Sequence, residues 1–204
     1  MNPLTAIPTG RYTQTILQSN GSKKRLLDAA ENVILRDGVS HLTLDAVAAE
    51  TGMSKGGVLY HFPSKDDLIR GMIRRLHGEF DAEVRRLIAD DPCPTGRTVR
   101  AVLNANFPPA PSERTARIDR IAAGLLAAVA TNRDLLEDMK EYTERMEQEM
   151  MRDGLDPITA MVVHMAADGI WMSSLFGIAH PCGPMRELVI ERLRVMSLGE
   201  ERLK

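Results

Sequence analysis

Residues 43–65 read TLDAVAAETGMSKGGVLYHFPSK, and two short helices separated by a tight turn fit them. The first spans 44–50. Thr43 precedes it as a hydroxyl N-cap, whose side-chain oxygen takes a free backbone N–H of the first turn. Leu42 before the cap and Val47 after it are placed for a hydrophobic staple. Gly52 in the turn Thr51-Gly52-Met53 suits the left-handed backbone that ends a helix. The second segment spans 55–61 and is capped by Ser54. A helix, a short glycine turn and a helix make the layout of a helix-turn-helix DNA reader.

The second segment is costly as a purely structural helix. Gly56 and Gly57 stand in its first turn, and each glycine costs roughly 1 kcal/mol against alanine inside a helix. That cost is accepted where something must approach the backbone closely. Val58 and Leu59 are expected to face the core. Lys55, Tyr60, His61 and Lys65 offer donors and positive charge, with no carboxylate between Met53 and Ser64. An ordinary helical hairpin with a polar outer side fits the same pattern, because layout alone does not fix function.

The wider run 24–76 contains LLDAAENVILRDGVSHLTLDAVAAETGMSKGGVLYHFPSKDDLI. It resembles the N-terminal DNA-binding domain of the tetracycline-repressor (TetR) family of bacterial transcription regulators. The resemblance rests on Gly38, Thr43-Leu44, Ala48, Gly52, Ser54, Gly56, Tyr60, Phe62 and the stretch from Lys65 to Leu68, in the family's order and spacing. It implies a DNA-contacting set of Thr43, Ser54, Lys55, Gly56, Gly57, Tyr60, His61 and Lys65. It also implies a homodimer formed through the last two helices. It covers about a quarter of the chain and says little about what the remainder binds.

Bulk composition fits a globular protein without a general nucleic-acid charge. Of 204 residues, 44% are hydrophobic and 26% charged, which separates the chain from disordered sequences. A net charge of −2 argues against binding through bulk charge. Between residues 22 and 66 the cations Lys23, Lys24, Arg25, Arg36, Lys55 and Lys65 face Asp28, Glu31, Asp37, Asp45, Glu50 and Asp66, six against six. Affinity for DNA must then come from local placement. Cys93 and Cys182 suggest neither a disulfide framework nor a zinc site. No signal peptide and no membrane-spanning run are expected, and a reducing cytoplasm is the natural compartment.

The rest of the chain reads as helices. Residues 1–21 are expected to be a mobile arm, in which Arg11 and the nearby Lys23-Lys24-Arg25 are the only groups suited to reach DNA. Helix one spans 22–36, with Leu26, Ala30, Val33 and Ile34 on one face. Ser64 caps a long helix to about residue 89, with Asp67 completing a capping-box variant. Prolines break the chain at 92–94 and 108–111. Further helices are expected at 95–106, 112–130, 133–152, 156–176 and 185–198. The expected fold is all-α with about nine helices. A helix-turn-helix domain over 22–67 precedes a ligand-binding and dimerisation domain over 68–204.

Within the second domain, His164, Asp168 and Trp171 fall at i, i+4 and i+7 of one apolar helix and share a face. They fit the polar contacts of a pocket for a small, largely apolar effector. A satisfied His-Asp pair in a core or interface fits equally well. Arg120, Met139, Tyr142 and Met146 are looser pocket candidates. No metal or cofactor is implied, since two ligands on one helix need others that the sequence does not indicate. The expected function is a ligand-responsive repressor that binds a palindromic operator as a dimer. The alternatives are a helical protein-interaction module and a small α-helical enzyme, although no spacing suggests a nucleophile and its base.

Overall fold

The structure, a computed structural model, describes residues 9–110, 112–178 and 181–199, with backbone only for 9–20 and 138. Among the described residues there are nine α-helices and no strand: α1 (Thr9–Asp37), α2 (Leu44–Thr51), α3 (Lys55–His61), α4 (Lys65–Asp90), α5 (Arg97–Asn106), α6 (Glu113–Thr131), α7 (Leu136–Met150), α8 (Pro157–Leu175) and α9 (Gly183–Met196). The chain divides into two compact units, Met1–Met72 and Ile73–Lys204. The division falls inside α4, because Leu68, Ile69 and Met72 in its first turns are buried. The boundary expected from the sequence, between residues 67 and 68, lies in the first turn of the same helix.

In the first unit, α1 packs on α2 and α2 on α3. Leu26, Ala30, Val33, Leu42, Val47, Val58 and Leu68 are fully buried. The helix α1 begins at Thr9, well before residue 22. Asn20 and Gly21 weaken a helix locally, but once the buried turns from Leu26 onward nucleate it, each added residue costs little. The remainder of the expected arm, residues 1–8, and the side chain of Arg11 lie outside the described residues.

In the second unit, α5 packs against α7, α8 and α9. Thr98 to Leu103 are all buried. Gly96 precedes α5 at φ 69° and offers no capping side chain. Asp153 supplies the cap from a distant turn, its carboxylate accepting from the backbone N–H of Thr98 at 2.9 Å and Val99 at 3.4 Å. Arg100, only 6% exposed, is fully employed: Asp91 lies 2.8 Å from its Nε, and the carbonyls of Cys93, Thr95 and Ser197 accept from its terminal nitrogens. Such pairing is what makes a buried guanidinium tolerable.

One expectation is corrected here. A membrane-spanning run was not expected, yet α8 has 19 residues and is long and apolar enough to cross a membrane by length and composition. Within this unit it buries one stripe, Ala160, Val163, His164, Ala167 and Ile170. Ile158, Val162, Met165, Met172 and Phe176, at helical spacings of three, four and seven, are exposed. An apolar surface on two sides is the composition of a span, and also of a helix that needs a second partner.

Candidate nucleic-acid interface and effector site

The helix pair α2–α3 is fixed by its ends. Thr43 Oγ1 accepts from Ala46 N–H at 3.0 Å, and Ser54 Oγ accepts from Gly57 N–H at 3.2 Å. Gly52 adopts φ 69°, and the chain closes α2 by donating from Met53 N–H to Ala48 at 3.2 Å and from Gly52 N–H to Ala49 at 3.4 Å. This reciprocal pair satisfies the last carbonyls and turns the chain sharply. A guanidinium N–H of Arg25 donates to the Thr51 carbonyl at 3.3 Å, tying the turn to α1. Ser64 and Asp67 then start α4 with a mutual cap.

One side of α3 is sunk and the other is open. Val58 is fully buried and Phe62, one turn on, is 2% exposed. Lys23 Nζ lies 5.6 Å from the centre of the Phe62 ring. Gly71 of α4 makes room for that ring, since a Cβ there would come within 2.7 Å of it. Ser54, Lys55, Gly56 and Tyr60 are exposed, and Tyr60 is 80% exposed. His61 and Lys65 are half-buried, and the Tyr60 and His61 rings meet edge to face at 5.1 Å. A Cβ at Gly56 would meet nothing within 4 Å, whereas Gly57 lies against Met53 and Ser54.

Leu59 does not face the core as expected; it is 38% exposed. Consecutive helical residues point about 100° apart, so a helix of only seven residues buries a single stripe. Val58 and Phe62 occupy it. Lys55 is not an unengaged cation either: its Nζ lies 3.0 Å from Asp45 Oδ2.

In the second unit, Trp171 donates its indole N–H to Asp119 at 3.1 Å, joining α8 to α6. His164 is 7% exposed, and its Nε2 stands 3.6 Å from Asp168 Oδ2, beyond hydrogen-bonding reach. Neither ring nitrogen has a hydrogen-bond partner. The two groups stand at ion-pair distance without a direct hydrogen bond between them. Burial pushes the Asp168 carboxyl above its ordinary range, His164 offsets this in part, and Glu147 adds to it. Tyr142 stacks on His77 at 4.2 Å, and its hydroxyl is buried without a hydrogen-bond partner. Burial and the nearby Asp81 raise the pKa of that hydroxyl. Met146 is buried and Met139 half-buried, both on α7. Arg120 is exposed. No group of three or more His, Cys, Asp or Glu among the described residues could hold a metal ion.

Comparison with known proteins bears on both units. Residues 26–72 match the bacterial regulatory proteins of the tetR family, and residues 96–197 match the tetracyclin repressor-like C-terminal domain. The chain belongs to the TetR family of transcriptional regulators. It is 32% identical over 60 residues to the HTH-type transcriptional regulator SrpR of Pseudomonas putida, a match covering 29% of this chain and only 28% of SrpR. It is 26% identical over 133 residues to the nucleoid occlusion factor SlmA of Vibrio campbellii, covering 65% of this chain and 66% of SlmA. Among solved structures, the multidrug binding protein EbrR complexed with ethidium superposes with a TM-score of 0.63 at 25% identity, covering 86% of this chain and 98% of that one. A transcriptional regulator from Rhodococcus sp. Rha1 superposes at 0.67 with 20% identity, covering 86% and 93%.

Proposed function

We propose that the protein is a ligand-responsive transcriptional repressor of the bacterial cytoplasm that binds a palindromic operator as a homodimer. The observation that carries this reading is the exposed side of α3. It presents Lys55, Gly56 and Tyr60 from a helix whose entry and exit are fixed by Ser54, Gly52 and the buried Val58 and Phe62. Glycine at 56 leaves the backbone open to a duplex, and Lys55, Tyr60, His61 and Lys65 supply phosphate and base-edge contacts. Likeness to the HTH-type transcriptional regulator SrpR and to the multidrug binding protein EbrR supports the class.

The exposed stripe of α8 has a counterpart on α9, where Met185 and Leu188 are 60% and 66% exposed. A second copy covers it. A twofold dimer sets two α3 helices against half-sites about 34–36 Å apart, or a multiple of that spacing. The effector is a small, largely apolar molecule that supplies hydrogen bonds to the orphaned nitrogens of His164 and the Tyr142 hydroxyl, beside Trp171, Met139 and Met146. It releases DNA by preferring the conformation whose readers are wrongly spaced.

Selection of bound sequences from random duplex DNA tests the first half. The expected result is a consensus with an internal twofold repeat; no enrichment over a heparin competitor removes the proposal. The second half is tested by adding dyes and drug-like molecules to the selected complex. Trp171 is the only tryptophan, so its emission reports occupancy directly. If ligands that alter Trp171 emission leave operator affinity unchanged, the site does not control DNA binding.

A further inference from the structure

Among the described residues of the first unit, the only large apolar or aromatic side chains exposed to solvent are Leu59 and Tyr60. They are adjacent, on the open side of the shortest α-helix, and Leu59 lies one turn from Lys55. Tyrosine has a hydroxyl and is at ease in water. Leucine at this position gains nothing from the fold beyond what partial burial gives, and it has no hydrogen-bonding atom. An apolar side chain placed between a cation and a glycine-opened backbone on the open side of α3 suits a partner that is apolar at one point and polar around it.

The major-groove edge of a duplex has one apolar group, the C5-methyl of thymine. Apart from ring C–H groups such as the cytosine C5–H, which project less, the remaining features there are hydrogen-bond donors or acceptors that leucine cannot satisfy. Gly56, exposed and with open space where a Cβ would stand, lets the helix come close enough for a short side chain to touch the base edge. We infer that Leu59 is a specificity residue that reads a thymine methyl in each operator half-site. The inference rests on the DNA-binding reading above and adds to it a base identity and the atom recognised.

The test uses the full chain and the operator obtained by selection. Each thymine of one half-site, and its twofold mate, is replaced by deoxyuridine, which lacks only the methyl. One such position is expected to lower wild-type affinity by about fourfold per half-site, the scale of one methyl-sized apolar group returned to water. The Leu59→Ala variant is expected to bind the thymine operator more weakly and to show no further loss at that position. Leu59→Met, which keeps an apolar reach, is expected to retain most of the thymine preference. Unchanged helical circular dichroism confirms that the variants fold. If no deoxyuridine position shows a Leu59-dependent difference while the operator is still bound, Leu59 does not read thymine and the regulator reading stands. If no sequence is selected at all, both fall together.

Discussion

The ammonium of Lys55 lies 3.0 Å from the carboxylate of Asp45, so the recognition helix holds its leading cation against the first turn of α2. Both side chains are more than half exposed, and the pair adds little to stability. Its consequence is for binding. A phosphate must compete with Asp45 for Lys55, and Asp45 itself repels phosphate. Asp45→Asn is expected to tighten operator binding several-fold at low salt, with the advantage shrinking as salt rises. The slope of log affinity against log salt is expected to steepen by about one counterion. Fluorescence anisotropy over a salt series measures both. Equal or weaker binding by Asp45→Asn at low salt excludes Lys55 as a phosphate contact.

Three glycines give a ranked stability prediction. Gly71 and Gly78 share α4, and alanine is worth roughly 1 kcal/mol over glycine in a helix interior. A Cβ at Gly78 meets nothing, so Gly78→Ala is expected to stabilise by about that amount. At Gly71 the Cβ runs into the buried Phe62 ring and the Leu27 side chain, and overpacking of about 1–3 kcal/mol cancels or exceeds the gain. Gly96 is worst placed. Its φ of 69° disfavours any side chain by roughly 1–2 kcal/mol, and a Cβ there would overlap the carbonyl oxygen of Ser197, which Arg100 already holds. Urea unfolding is expected to order the alanine variants Gly78, Gly71, Gly96 from most to least stable. Stabilisation by Gly96→Ala contradicts the packing described.

These glycines mark where sequence reading ends. The caps at Thr43, Ser54 and Ser64 and the glycine turn at Gly52 were legible because each signal and the group it satisfies lie within three or four residues. The choice between Val58 and Leu59 for the core was not, because both are apolar and only the position of α1 and α2 decides which is covered. Asp153 capping α5 is a contact across 55 residues with no local signature. The His164–Asp168 spacing correctly put the two on one face, yet i, i+4 spacing does not set the 3.6 Å gap or leave a trace of the orphaned nitrogens.

The Asp168 carboxyl sets a pH dependence whose direction is fixed. Burial holds its proton in the folded state to a higher pH than in the unfolded chain, where the value is about 3.9. The folded state therefore binds the proton more tightly. The stability this contributes is complete below about pH 3.9 and is lost as pH rises through the raised value. Asp168→Asn keeps the neutral shape and removes the ionisation. At pH 7 the variant is expected to be more stable than the parent, with the difference vanishing toward pH 4. The side chain is 40% exposed and His164 partly offsets the shift, so the gain is small. Urea midpoints between pH 4 and pH 7 measure it. A variant less stable at pH 7 means that the His164 attraction outweighs burial.

The exposed stripe on α8 leads to a prediction about assembly. Ile158 and Val162 are 76% and 48% exposed and lie one turn apart, so a charge there costs the isolated subunit almost nothing. In a twofold interface each substituted residue occurs twice, and an unpaired carboxylate buried on both sides is strongly unfavourable. Val162→Glu is expected to convert the proposed dimer to a monomer at micromolar concentration, with helical circular dichroism unchanged. Sedimentation equilibrium reads the mass. Operator affinity is expected to collapse in parallel, because one reader meets only one half-site and the gain from linked binding disappears. The coupled loss separates this arrangement from a membrane-facing or partner-binding role for α8. A Val162→Glu variant that stays dimeric places the subunit contact elsewhere, whereas a monomer that binds the operator undiminished removes the need for two readers.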